Sequence, residues 1–159
     1  MRYGTPLVEA RIVRLNAEQH PVTAYEAEQY ARFGLTPKLI EARTPAEIIP
    51  HVAEADAVFA VSVSLPAAVI DAMPRCRVIS RMGTGTDKID VPRATTQGIL
   101  VTNVPYFCVE EQADHAMAML LALVRKLPQM RVAMEAGTFR YAHELMRTNQ
   151  RLPGRVLGL

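Results

Sequence analysis

The chain has 159 residues, of which 50% are hydrophobic and 21% charged. That length supports one domain with a real core, burying roughly two-thirds of its unfolded surface, and the balance excludes a disordered or low-complexity chain. The formal net charge is +2 and no Lys/Arg cluster stands out, so neither a nucleic acid nor a membrane surface is indicated as a partner.

In chain order, residues 1–16 mix charge with apolar side chains and lack the uninterrupted apolar core of a signal peptide. The run "ARIVRL" (10–15) predicts a first strand. "TAYEAEQYARFG" predicts a helix ended by Gly34, and "PKLIEA" a second strand. "TPAEIIPHVAEA" opens with Thr44 as N-cap, Pro45 at the first helical position and Glu47 at the third, close to a full capping box; Pro50 makes that helix short or kinked. "DAVFAVSV" is the first strong strand, followed by a helix in "PAAVIDAM", a strand in "RVISRM", a helix in "VPRATTQG" and a strand in "ILVTNV". Strands alternating with helices predict an α/β parallel sheet with right-handed crossovers.

From Val109 the character changes. Residues 109–130 contain no Gly, and Ala113, Met117, Leu120, Leu121, Val124 and Leu127 trace one apolar face of a long helix. Glu110, Glu111 and Asp114 lie toward its N-terminus and Arg125 and Lys126 toward the other end, as the helix dipole favours. By pattern this helix is either a link between domains or a last helix packed on the same sheet. Its longest apolar stretch, Ala116 to Val124, is about half a bilayer span. The segment after it is polar and irregular until "RVLGL" (155–159), an apolar strand. Cys76 and Cys108 lie far apart and near no His pair at metal spacing, so they read as free thiols of a reducing compartment, and a cytoplasmic location is expected.

The chemistry concentrates at "VISRMGTGTDKID" (78–90). A P-loop is ruled out, because GxxxxGK[ST] is absent. A dinucleotide fingerprint fits poorly, since Asp87 stands near where a third glycine belongs and the next helix starts only at Pro92. Two readings remain open on the residues alone. Gly83 and Gly85 simply turn the chain, or they expose backbone amides at a strand's carboxyl end to a small anion such as a carboxylate. His20, His51, His115 and His143 have no partner at a telling spacing, and no Ser-His-Asp order or metal cluster offers other chemistry.

Residues 81–127, "RMGTGTDKIDVPRATTQGILVTNVPYFCVEEQADHAMAMLLALVRKL", resemble the D-isomer-specific 2-hydroxyacid dehydrogenases. The shared elements, in order, are Gly-x-Gly after a strand, Asp-x-Ile-Asp, Gly-Ile-x-Val-x-Asn-x-Pro, and a long helix opening near Glu-x-Ala-Asp. The resemblance implies a flavodoxin-like substrate domain over residues 1–104, without its C-terminal return segment. A crossover helix and the first strand of a Rossmann cofactor domain would follow over 105–159. It implies substrate binding by Arg81, Met82, Gly83, Thr84, Gly85 and Asn103, with Thr84 and Gln112 facing NAD or NADP. The partner implied is a small 2-hydroxy or 2-oxo acid, and the assembly a homodimer at full length. The catalytic Arg, Glu and His and the dinucleotide loop of that family match nothing here, so the chain reads as an N-terminal fragment, inactive by itself. A corepressor-like, NAD-sensing regulator of the same fold is the alternative, and a free-standing flavodoxin-like binding module is a third reading.

Overall fold

The computed structural model describes residues 9–158. It divides into two compact units, Met1–Phe107 and Cys108–Leu159. In the first, strands β1 (Ile12–Leu15), β2 (Lys38–Ile40), β3 (Ala57–Ala60), β4 (Val78–Arg81) and β5 (Leu100–Thr102) alternate with helices α1 (Ala24–Arg32), α2 (Pro45–Val52), α3 (Ala67–Asp71) and α4 (Val91–Thr96). The strands pair in parallel in the order β2-β1-β3-β4-β5, which is the flavodoxin-like arrangement, with the winding direction reversing between β1 and β3.

Local sequence sets the element limits. Thr23 caps α1 by accepting from the Glu26 amide, and Gly34 (φ 65°) turns the chain out of it in a left-handed conformation open to glycine. Thr44 and Glu47 complete the capping box of α2, and Pro50, which cannot donate to the helix ladder, accompanies a helix of only 8 residues. The strand expected over 56–63 stops at Ala60, because Ser62 takes a left-handed φ of 54°.

Side chains alternate across a strand, so Val13, Val58, Ile79 and Val101, aligned by register, share one face of the sheet. There they pack with Ile48 and Val52 of α2, Val69 and Ile70 of α3 and Ala94 of α4 in a single core. The other face carries the row Arg14, Phe59, Ser80, Thr102. Helix α1 covers the β1–β3 end of this row: Tyr30 stacks on Phe59 with centroids 5.8 Å apart, and Glu26 pairs with Arg14 at 3.0 Å.

The second unit holds α5 (Val109–Val124), α6 (Leu127–Glu135) and α7 (Phe139–Arg147). Three expectations are corrected here. The single helix over 109–130 is broken: Lys126 takes a left-handed φ of 56° and Pro128 falls in the first turn of α6. A continuous helix would need an N–H from Pro128 for the Val124 carbonyl and would press its ring against that carbonyl. The irregular stretch after it contains α7, preceded by Gly137 (φ 69°) and Thr138. Residues 155–158 form no strand, and Leu159 lies outside the described residues. A strand needs a neighbour for its amides; here Arg155 N–H closes a turn onto Leu152 O at 2.9 Å. Among the described residues of this unit only Ala133 and Ala142 are buried hydrophobics. No helix among the described residues is long and apolar enough to cross a membrane.

Candidate functional site

Ligands of open α/β sheets bind beyond the carboxyl ends of the strands, near the point where the strand order reverses. Two unusual residues mark that edge. Asn16, just after β1, and Ser62, after β3, hold φ values of 57° and 54°, a left-handed conformation that asparagine tolerates and serine adopts rarely. They are linked through the intervening backbone: buried Asn16 donates from Nδ2 to Val61 O at 2.8 Å, and its Oδ1 is buried without a partner. Sequence reasoning missed both, since neither belongs to a motif. Asn at a strand end before a turn is the available signal.

The loop after β4 is built differently. Three successive peptide carbonyls accept hydrogen bonds from the protein: Gly83 O from Val104 N–H at 3.0 Å, Thr84 O from Asn103 Nδ2 at 2.7 Å, and Gly85 O from Arg81 Nε at 3.2 Å. The Gly83 amide donates to Arg81 O at 2.9 Å, closing a tight three-residue turn. The amides of Thr84 and Gly85 have no acceptor among the described residues, and the Thr84 hydroxyl donates to Val104 O at 3.4 Å. Of the amides expected to face an acid, two are therefore open and the third is engaged.

Neither glycine is required by a left-handed backbone, for neither has a positive φ; what each supplies is room. A Cβ at Gly83 would lie 2.8 Å from Arg81 Nη1, so the guanidinium rests directly on the Gly83 backbone. A Cβ at Gly85 would lie 2.7 Å from Asp87 Oδ1. Arg81 forms no ion pair among the described residues. Open amides and an unneutralised guanidinium are the kinds of group that hold a small anion.

A larger cavity, about 630 Å³, opens on the α1 face among Arg14, His20, Glu26, Tyr30, Phe59 and Met82. It meets the loop only through Met82. Its charges neutralise each other: Arg14, 2% exposed, pairs with Glu26, which also accepts from the Tyr30 hydroxyl. Burial alone would raise the Glu26 pKa, but the bonds from Arg14 and Tyr30 outweigh it and hold the carboxyl below its ordinary value; burial and the Glu26 charge push the Tyr30 phenol up. A cavity whose cation is already paired has little attraction for an acid, whereas the Arg81 guanidinium has no such partner among the described residues.

Other reactive groups stand apart. Burial pushes the Cys76 thiol up to about 11, which removes it as a nucleophile at neutral pH. In the second unit Gln112 is exposed, and its Nε2 donates to Cys108 Sγ at 3.0 Å, turning the carboxamide back on its own helix. His115 and His143 are exposed on α5 and α7.

The family model described as D-isomer specific 2-hydroxyacid dehydrogenase, catalytic domain, matches residues 15–151. The chain belongs to this family. The D-3-phosphoglycerate dehydrogenase of Mycobacterium bovis is 35% identical over 95 residues, which cover 59% of this chain and 18% of that protein. The glyoxylate reductase of Korarchaeum cryptofilum is 34% identical over 114 residues, covering 70% of this chain and 34% of its own length. The solved NADPH-dependent glyoxylate/hydroxypyruvate reductase of Sinorhizobium meliloti, in complex with NADP and malonate, superposes with a TM-score of 0.68 at 26% identity over 92% of this chain and 44% of that one. The chain thus spans about a third or less of these two curated relatives.

Within this D-isomer specific 2-hydroxyacid dehydrogenase chain, the glycine loop does not fit a dinucleotide pyrophosphate. The helix after the loop, α4, starts only at Val91, and the carboxylate of Asp90 already caps it by accepting from the Arg93 amide at 2.9 Å. An anion brought there would meet a like charge.

Proposed function

We propose that the first unit is the substrate-binding part of an oxidoreductase that transfers hydride between NAD or NADP and a D-2-hydroxy acid or the matching 2-oxo acid. The observation that carries this reading is the loop, where the Thr84 and Gly85 amides have no acceptor among the described residues and the Arg81 guanidinium, bonded to Gly85 O, has no ion-pair partner there. A carboxylate next to the reacting carbon is the feature that 2-hydroxy and 2-oxo acids share. Membership in the family and the names of the relatives support the reaction class. When bound, the cofactor supplies the hydride chemistry. The chain's own groups bind the acid, with Met82 beside it, and fix its orientation. We assign residues 1–104 to the substrate domain and 105–159 to the crossover into a cofactor domain, and the assembled enzyme to a homodimer.

These 159 residues should bind an acid without turning it over, because none of them matches the family's Arg, Glu and His that would polarise the carbonyl and move the proton. Glyoxylate titrated into the ¹⁵N-labelled chain is expected to shift the Thr84 and Gly85 amides and the Arg81 Nε signal together and saturably. Arg81→Gln should weaken that binding about tenfold by removing a charge-assisted contact. Shifts spread over the surface, or none at the loop, would sink the reading. Reduction of NAD by the purified chain with any D-2-hydroxy acid, above a protein-free control, would overturn the division of labour.

A further inference from the structure

The geometry points to Asn103 as a positioning residue that aims the Gly85 amide at a bound carboxylate, an inference that rests on the carboxylate reading of the loop. A trans peptide is planar, so the C=O of one residue and the N–H of the next point in opposite directions. Whatever holds the carbonyl therefore also sets the direction of the amide. Thr84 C=O and Gly85 N–H belong to one peptide unit, and Asn103 Nδ2 holds that carbonyl at 2.7 Å. Gly83 C=O and Thr84 N–H belong to the unit before it, and there the holder is main chain, Val104 N–H at 3.0 Å. Neighbouring residues 103 and 104 thus aim both open donors, one through a side chain and one through the backbone.

This arrangement gives Asn103 a task beyond any direct contact with the acid. One of its two Nδ2 hydrogens is bonded to Thr84 O, so the carboxamide is tied to that peptide whatever the other hydrogen meets. Its position is set by the sheet, since it directly follows Thr102, which lies in register with Ser80 of β4. Aspartate has the same shape but is acceptor-only when ionised, so it would oppose the Thr84 carbonyl instead of holding it. The two clamps predict an asymmetry: side-chain changes at 103 disturb Gly85 and leave Thr84 aimed.

The test uses the ¹⁵N-labelled 159-residue chain and oxamate as carboxylate probe. In the unmodified protein the Thr84 and Gly85 amides are expected to shift with one saturating dependence. In Asn103→Ala and Asn103→Asp, oxamate affinity should fall about tenfold, the loss of one charge-assisted hydrogen bond, and the Gly85 response should shrink while that of Thr84 persists. The remaining cross-peaks report whether each variant is folded, and a merely structural role would disturb Thr84 and Gly85 alike. Folded variants in which Gly85 responds as before overturn the clamp and leave the carboxylate reading standing. No response at either amide of the unmodified chain overturns the carboxylate reading, and this inference with it. One measurement needs no variant: the Asn103 side-chain amide should exchange with solvent more slowly than a free asparagine, and exchange at the free rate also overturns the clamp.

Discussion

In the first unit Leu15, Ile48, Val52, Val58, Ile70 and Ile79 are fully buried in one continuous core, whereas in the second Met117, Leu123, Val132 and Phe139 are each at least half exposed. Both sets lie on regular elements with apolar periodicity. The difference is what each element finds opposite it. A strand of the sheet carries its partners with it, because register pairs align the apolar row and helices α2 to α4 close over it. The helices of the second unit start without a side-chain cap and bury little more than Ala133 and Ala142 among the described residues. Since most helical stability in proteins comes from packing an apolar face, the two units should respond very differently to the same substitution.

The largest contrast is expected from truncating one apolar side chain in each. Ile79→Ala should lower unfolding stability by about 2–5 kcal/mol, while Leu123→Ala should stay within about 0.5 kcal/mol. Chemical denaturation of both variants checks this, and equal losses would break the comparison. Next comes Glu26→Gln, which leaves the Arg14 guanidinium, 2% exposed, without its counter-charge and should cost about 3 kcal/mol at neutral pH. The pH dependence has a definite sign. Because the folded carboxyl lies below its ordinary value, its contribution is complete above the ordinary carboxylate range and is lost as pH falls through the lowered folded value. The stability gap between the parent and Glu26→Gln should therefore narrow on acidification; a gap that widens would contradict the pairing.

Smaller effects sharpen the comparison at the helix caps. Thr44→Ala removes a reciprocal capping box in the first unit and should cost about 1 kcal/mol. Thr138→Ala, at a helix start where the hydroxyl donates to Ala133 O instead of capping, should cost only about a few tenths of that in thermal melts. One further change has the opposite sign. Lys126→Gly relieves a left-handed φ of 56° and should raise stability by up to about 1 kcal/mol, seen as stronger helical dichroism from the second unit.

The first unit was legible because its signals are local and repeated. Thr44-Pro45-Ala46-Glu47 states a helix start in four residues, and the short apolar runs around Val58 and Ile79, each bounded by polar or turn residues, read as buried strands. The second unit hid its breaks. The apolar stripe runs through Arg125 and Lys126 in phase, so periodicity sees one helix where Pro128 forces two. Polar composition masked α7, although Gly137 and Thr138 together spell an end and a start. At the candidate site the glycines were legible, but not their purpose. Nothing in the string says that the Gly83 amide turns back to Arg81, that Asn103 reaches Thr84 across the sheet, or that Asn16 and Ser62 are held left-handed, because each depends on which strands become neighbours.

The guanidinium of Arg81 resting on Gly83 has a consequence for how substitutions at the two positions combine. Gly83→Ala alone puts a methyl group 2.8 Å from Nη1, and the end of the flexible Arg81 side chain must swing aside to admit it. Arg81→Ser removes the three atoms that would stand nearest that methyl group, so the two substitutions share a neighbour and should be non-additive. The alanine keeps the charge and moves it, whereas the serine removes it. Together they separate where the cation sits from whether it is there.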